Sequence, residues 1–88
     1  MGKPFDFVAF KEKLDDIHAW PSLYTFKFIV PKAKVPEVEA LFPKHEVNHT
    51  PSSKGTYISV TARMMASSSE EVISIYKAAS GIEGIIAL

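Results

Sequence analysis

Residues 51–65, PSSKGTYISVTARMM, contain the clearest strand pattern in this sequence. The two serines and Gly55 favour a turn, because glycine adopts backbone angles that other residues avoid. From Thr56 onward apolar and polar residues alternate, which predicts a strand with one buried and one exposed face. The inward residues are predicted to be Ile58, Val60, Ala62 and Met64, and the outward residues Tyr57, Ser59, Thr61 and Arg63.

A second strand is predicted from Ser22 to Val30, where aromatic and β-branched residues recur with a period of two. Pro31 ends this strand, because proline has no N–H to donate to a sheet. The inward residues of this strand are predicted to be Tyr24, Phe26, Phe28 and Val30, and the outward residues Thr25, Lys27 and Ile29.

A helix is predicted at the start of the chain, from Phe5 to His18. Its apolar residues recur at helical spacing, and Pro4 suits a first helical turn. The helix should stop before Trp20-Pro21, since a residue that precedes proline avoids helical angles. Its aromatic residues either close the protein's own core or face a partner. The apolar stripe of this helix consists of Phe7, Phe10, Leu14 and Ile17.

Two further helices are predicted between the strands. The first is short, since prolines at positions 36 and 43 bound it, and a helix of this length depends on packing. The second begins with a capping box, in which Ser68 accepts a backbone N–H and Glu71 reaches back. Gly81 is predicted to end this helix in the left-handed conformation. The inward residues of the second helix are predicted to be Val72, Ile73, Tyr76 and Ala79.

Two weaker strands and one loop complete the pattern. Lys44–Thr50 contains charged residues, which are typical of a sheet edge, and Ile82–Leu88 is an apolar last strand. Lys32–Lys34 is predicted to be a solvated loop. His45 and His49 would lie about 13 Å apart on a strand, at about 3.3 Å per residue, so the sequence does not favour a shared metal ion.

This order of elements predicts a single α+β domain spanning residues 1–88, with residues 5–18 as an N-terminal helical extension. The remaining elements follow the ferredoxin-like split β-α-β order, βαββαβ. That fold has a four-stranded antiparallel sheet with two helices on one face. Right-handed crossovers place the first and third strands in the middle of the sheet and the weak second strand at an edge.

The composition argues against several classes of protein. Ten basic and ten acidic residues cancel among the 88, so no general field favours nucleic acid or an anionic membrane. The sequence has no cysteine, no apolar run long enough to span a membrane and no signal-peptide pattern. We therefore expect a cytoplasmic protein that does not enter the membrane and that has neither a metal nor another cofactor.

The segment Pro51-Ser-Ser-Lys-Gly-Thr-Tyr57 with Ile58–Thr61 resembles the YbeD-like family of small bacterial proteins of unknown function. The regions Phe10–Val30 and Glu70–Leu88 resemble that family more weakly. The resemblance implies a ferredoxin-like domain related to the ACT regulatory domains of amino-acid-responsive enzymes, and a suggested role in lipoate metabolism. The chain differs from ACT domains in the turn after the first strand, Pro31–Pro36, which lacks the glycine that commonly serves an amino-acid ligand.

Several functional classes can be weighed from the residues. No nucleophile with a base, carboxylate pair or metal set is recognisable, so the sequence predicts no enzyme. RNA-recognition modules share the fold, and Lys54-Gly55 fits their third-strand motif. However, Thr56 and Ile58 occupy the positions of the stacking aromatic residues, which argues against RNA binding. We expect a small regulatory or binding domain, with an ACT-like sensor of an amino acid or lipoate-related ligand as the alternative.

Two candidate binding surfaces follow from the pattern. The loop with hydroxyls, an ammonium group and flexible backbone N–H groups could bind an anion, although a plain hairpin turn is the simpler interpretation. The sheet face without helices is the second surface, and we expect it or an apolar edge to form a homodimer unless the first helix covers it. The loop residues are Pro51, Ser52, Ser53, Lys54, Gly55 and Tyr57, and the face residues are Thr25, Lys27, Ser59, Thr61 and Arg63.

Overall fold

A computed structural model describes residues 6–52 and 54–88 and contains one four-stranded antiparallel sheet. The strands are β1 (Ser22–Pro31), β2 (Val47–Pro51), β3 (Tyr57–Ala66) and β4 (Ile86–Ala87). Their order across the sheet is β2-β3-β1-β4. The predicted α+β, ferredoxin-like arrangement is therefore confirmed, with the first and third strands in the middle and the second at an edge.

Three helices cover one face of this sheet. They are α1 (Phe7–Ile17), α2 (Val35–Glu39), which directly follows a short 3-10 helix at Lys32–Lys34, and α3 (Ser69–Ala79). Lys32–Lys34 is thus helical rather than the predicted loop, because the N–H of Val35 donates to the carbonyl of Lys32 and tightens the backbone there. The predicted start of the first helix at Pro4 and Phe5 lies outside the described residues.

The buried face of the sheet is the one that the alternation predicted. Phe26 pairs with Ala62 and Phe28 with Val60 across β1 and β3, and all four side chains are buried. Along each strand the residues of this face alternate with residues of a more exposed face, as expected for an antiparallel sheet covered on one side. The other core residues are Leu14, Val30, Val38, Phe42, Ile58, Met64, Ala66, Val72, Ile73, Ala79 and Ile82.

Helix α1 packs against α3, on the same side of the sheet as the other helices. Leu14 is buried in the core, and the ring of Phe10 meets the ring of Tyr76 edge-on at 5.5 Å. The alternative in which α1 covers the helix-free face of the sheet is therefore wrong. Ile17, which was predicted to join the apolar stripe, is 76% exposed because it lies in the last turn, beyond the contact with α3.

The capping residues explain where α1 and α3 begin. The carboxylate of Asp6 accepts hydrogen bonds from the N–H groups of Val8 and Ala9, a cap that the sequence interpretation missed. The predicted box at α3 is confirmed. Ser68 accepts from the N–H of Glu71, and the Glu71 carboxylate reaches back to the N–H of residue 67.

The end of α3 differs from the prediction. Gly81 does not adopt a left-handed conformation, because its N–H bonds to the carbonyl of Ala78 and the right-handed turn continues. The left-handed residue is Gly84, with φ of 79°. Ile82 is buried in the core rather than paired with β1, so the last strand can begin only after the turn at Gly84. It therefore contains Ile86–Ala87 instead of residues 82–88.

The predicted strand at Lys44–Thr50 is also displaced, since β2 starts at Val47. Phe42 is buried and its carbonyl accepts from the N–H of His45, so residues 42–45 form a turn that returns the chain to the sheet edge. The short helix before this turn ends at Glu39, well before the predicted bound at Pro43.

Candidate functional site

The helix-free face of the sheet, which we call the open face, brings the predicted face residues together. Thr25 pairs with Arg63 and Lys27 with Thr61 across β1 and β3, and Ser59 lies one pair further along. Thr25, Lys27 and Arg63 are exposed, whereas Ser59 and Thr61 are half-buried. Asn48 and Thr50 of β2 extend this face, because they pair with Thr61 and Ser59.

The open face is positively charged although the whole chain is neutral. None of the ten acidic residues lies in a strand, and among the described residues the only lysine or arginine residues in strands are Lys27 and Arg63. These two residues occupy diagonal positions on neighbouring strands. Neither forms an ion pair with a described residue. Two positive charges without an ion-pair partner among the described residues therefore lie diagonally across β1 and β3, next to residues with hydroxyl groups.

Apolar side chains border these charges. Leu23 pairs with Met65 at one end of the face, and the two are 58% and 61% exposed. Tyr57 lies at the other end, and Ile86 pairs with Ile29 at the β4 side. A surface with exposed apolar groups around satisfiable polar ones has the composition of a protein interface.

The predicted binding loop is a hairpin turn whose polar groups bond to one another. The N–H of Ser52 donates to the carbonyl of Tyr57, and the N–H of Gly55 donates to the carbonyl of Ser52. The Ser52 hydroxyl accepts from the N–H of Tyr57 at 3.4 Å. Lys54 is exposed and Pro51 ends β2, while Ser53 lies outside the described residues. Three backbone donors of the loop, the N–H groups of Ser52, Gly55 and Tyr57, are thus bonded within the turn. Gly55 has the predicted positive φ of 70°.

A polar network on α1 fixes the entry to β1. The Asp15 carboxylate accepts hydrogen bonds from Lys11 Nζ and Trp20 Nε1, each at 2.8 Å. The bond from Lys11 is the main reason why the pKa of Asp15 falls from 3.8 to about 2. The same contact raises the pKa of Lys11. The perturbed carboxylate is therefore engaged in holding α1 to the start of the sheet.

A cavity of about 450 Å³ lies between α1, α3 and the β1–β4 edge of the sheet. The hydroxyl groups of Tyr24 and Tyr76 meet at its wall, 3.0 Å apart. Sequence reasoning missed this cavity, although two inward tyrosines signal that a buried hydroxyl needs a partner. Its lining residues are Phe7, Phe10, Tyr24, Tyr76, Ser80, Ala87 and Leu88.

Two further features bear on the alternative functions. The turn after β1, where ACT domains commonly bind an amino acid, contains the 3-10 helix Lys32–Lys34, whose backbone groups are partly bonded within the turn. Ile58, at the place of a stacking aromatic residue in RNA-recognition modules, is buried under the helices. Tyr57 is the only aromatic residue on the open face among the described residues.

Residues 6–52 and 54–88 contain no group of three or more metal-ligating side chains close enough to hold an ion. His49 instead lies 3.2 Å from the carboxylate of Glu39. Within the same residues, no helix has the length and apolar content needed to cross a bilayer.

These features define a small α+β domain with one helix-covered and one open sheet face, and comparison with known proteins gives its family. Residues 15–88 match the family described as "Protein of unknown function (DUF493)". A "UPF0250 protein" of Shewanella sp. strain ANA-3 is 31% identical over 80 residues, and one of Shewanella halifaxensis is 32% identical over 83. Each match covers 83% of this chain and 91% of the relative. No solved structure gives a significant match.

The chain therefore belongs to the DUF493 (UPF0250) family, which is the YbeD family of small bacterial proteins. The resemblance seen in the sequence is confirmed at the level of the family. The matched segment begins at residue 15, within α1, so most of the first helix precedes it.

Proposed function

We propose that this chain is a small, non-catalytic, cytoplasmic domain that binds and regulates a partner protein through the open face. The observation that supports this function most strongly is the charge of that face. Lys27 and Arg63 are adjacent, exposed and unpaired among the described residues, and no acidic residue lies on any strand. A partner with an acidic surface would neutralise both cations, and such complementarity guides association and selects partners.

The surroundings of the two cations support a protein partner. Leu23, Met65 and Tyr57 give the face exposed apolar area. Thr61 pairs with Lys27 and Ser59 lies one pair further along, so both hydroxyl residues share the face with the charges. Interfaces combine apolar contacts with hydrogen bonds in this way.

The proposal that the domain is not an enzyme is supported by what its perturbed groups do. Asp15 binds Lys11 and Trp20, and Tyr76 binds Tyr24, so both groups have structural partners. Active sites usually combine perturbed groups with a nucleophile or base inside a cleft. The open face offers Lys27, Arg63 and alcohols without a neighbouring base.

A capture experiment tests the binding function. The full chain is immobilised and exposed to lysate of its source bacterium, in parallel with the Lys27→Glu/Arg63→Glu double variant and with a Lys13→Glu control on the exposed part of α1. We expect one protein with an acidic surface to bind the wild-type chain and the control, and to be lost with the double variant. Equal capture by all three chains would contradict a role for the open face.

We also propose a two-fold homodimer that forms at a sheet edge. Face-to-face contact would bring Lys27 and Arg63 of one copy close to the same cations of the other, which is unfavourable. Strand β2 forms the edge of the sheet opposite β4. Its five residues can pair in antiparallel fashion with β2 of a second copy, and this pairing leaves the open face free. Light scattering over a concentration series should give twice the monomer mass, and a monomer mass up to high micromolar protein would refute the dimer.

The alternative of an ACT-like small-molecule sensor makes a different prediction. A sensor would gain thermal stability from an amino acid, lipoate or a nucleotide, because a ligand that binds only the folded state stabilises it. We expect no such gain, since the turn after β1 lacks glycine. A reproducible rise in Tm with one of these compounds would favour the sensor.

A further inference from the structure

One part of the sheet edge has no neighbouring strand among the described residues. Strand β4 pairs only with Phe28 and Ile29 of β1, and the N–H of Leu88 donates to the carbonyl of Lys27. Alternate residues of an antiparallel strand direct their backbone groups to the same side. Leu23 and Thr25 therefore direct theirs, like Lys27, away from β3. This free edge of β1 is a template for another strand.

The cavity described above lies beside the free edge. Ala87 pairs with Phe28 on the helix-covered side of the sheet and also lines the cavity. A strand that continued the direction of β4 along β1 would place alternate side chains opposite Phe26 and Tyr24, on that same side. The cavity of about 450 Å³ is therefore located where these side chains would lie.

The wall of the cavity suits apolar side chains. The rings of Phe7 and Phe10 form part of it, and both residues precede the segment that matches the family. The hydroxyl oxygens of Tyr24 and Tyr76 share one hydrogen bond, which uses one of their two hydroxyl hydrogens. The second hydrogen can be donated to an acceptor of the incoming strand.

Charge completes the description of the occupant. Leu88 already lies opposite Lys27, so the first of the strand's other side chains would lie on the side of the open face opposite Thr25. This position is diagonal to Lys27 and one strand away from Arg63, which pairs with Thr25. We propose that the free edge of β1 binds an extended peptide in which apolar residues, placed in the cavity, alternate with an acidic residue opposite Thr25 and diagonal to Lys27. This inference rests on the proposed binding function and adds a location and a recognition pattern to it.

A second copy of the chain does not fit this pattern. Its ten acidic residues all lie outside the strands, so none of its strands combines alternating apolar residues with a carboxylate. A segment of another protein with this pattern is the occupant that charge complementarity selects. Adding a strand to an exposed sheet edge is a known mode of peptide recognition, in which main-chain bonds give affinity and side-chain pockets give specificity.

Selection from a displayed random-peptide library against the full chain tests the proposal. We expect enriched peptides with alternating apolar and acidic residues. One enriched peptide is then synthesised and its binding followed by fluorescence polarisation. Lys27→Glu should weaken binding at least about tenfold, a change of about 1.4 kcal/mol, whereas the Lys13→Glu control should not. N-methylation of the peptide amide that pairs with β1 should abolish binding, and amide NMR shifts should change at Thr25 and Ser80.

The experiment distinguishes a wrong edge site on β1 from a wrong binding function of the open face. Equal binding to the Lys27→Glu chain, or no enrichment above the library background, would overturn the edge site. A peptide that shifts Ser59 and Thr61 but leaves Thr25 unchanged would also overturn it. That last result would leave binding at the open face intact.

Discussion

The hydroxyl oxygens of Tyr24 and Tyr76 lie 3.0 Å apart, although 52 positions separate these residues in the sequence. The contact joins the central strand β1 to helix α3. Because each tyrosine also packs by ring contacts with Phe26, the hydrogen bond adds a directional constraint to an aromatic cluster.

Removing either hydroxyl should destabilise the fold. Tyr24→Phe and Tyr76→Phe each delete one partner of the bond, so we expect a loss of roughly 0.5–1.5 kcal/mol for each single change. The double change should cost less than the sum of the two, since the bond can be lost only once. Urea unfolding of the four chains measures this coupling, and strictly additive losses would show that the hydroxyls do not interact.

The same pair predicts a response to alkaline pH. Burial, together with the hydrogen bond to Tyr24, raises the pKa of Tyr76 above its ordinary value of 10.0. The folded state therefore keeps this hydroxyl neutral where the unfolded chain ionises. The contribution of the Tyr76 hydroxyl to the free energy of unfolding is fully present below pH 10 and should decline as the pH rises further. The Tyr76→Phe chain should lose less stability than the wild type over that range. Parallel pH curves for both chains would contradict the assignment.

Asp15 predicts a response at acidic pH. Hydrogen bonding, with the bond from Lys11 as the largest cause and with smaller effects of Ser69 and Trp20, lowers its pKa from 3.8 to about 2. The stability from this contact is present above pH 3.8 and is lost as the pH falls toward 2. Asp15→Asn should therefore be less stable than the wild type near neutral pH, with the difference shrinking in acid. Asp16→Asn, next to it on α1, is the control that should show no such difference. Unfolding followed by Trp20 fluorescence reports both.

Three glycines give a graded test of the backbone. Gly55 has φ of 70° with open space around it, so Gly55→Ala should cost about 1–2 kcal/mol from conformation alone. Gly84→Ala should cost more, because φ is 79° and the added Cβ would lie 2.8 Å from Pro31 Cγ. Gly81→Ala should stay within about 0.5 kcal/mol of the wild type. An equal loss at Gly81 and Gly84 in chemical denaturation would contradict the backbone description.

The two faces of the sheet should respond differently to truncation. Phe26 is fully buried, so Phe26→Ala should cost about 3–5 kcal/mol through lost burial and the cavity it leaves. Met65 on the open face is 61% exposed, and Met65→Ala should change the free energy of unfolding by less than about 0.5 kcal/mol. Similar losses at both positions would mean that the open face is covered in the isolated protein.

The sequence was sufficient for the elements whose pattern is local. Alternation along β1 and β3 identified their buried faces, the Ser68–Glu71 box located the start of α3, and Gly55 marked its turn. These features depend on residues within a few positions of one another. The grouping of Lys27 with Arg63 also followed, since it needs only the two outward faces and the strand order.

The missed features depend on contacts between distant residues. The last strand is short because Ile82 is buried in the core and does not pair in the sheet. An apolar side chain alone does not show whether its residue belongs to a buried turn or to a strand. The position of α1 depends on its packing with α3, including the Phe10–Tyr76 contact. The cavity and the free edge of β1 follow from these two facts, so neither could be read from periodicity.

Radical footprinting of the open face tests the central claim most directly. Met65 and Tyr57 are oxidisable side chains exposed on that face, while the exposed His45 lies outside it and serves as the internal reference. The dilute chain is labelled in buffer and in lysate of its source bacterium. We predict that oxidation of Met65 and Tyr57, relative to His45, falls in lysate and that the Lys27→Glu/Arg63→Glu variant loses this protection. Unchanged ratios in lysate for the wild-type chain would contradict the proposal that the open face binds a partner.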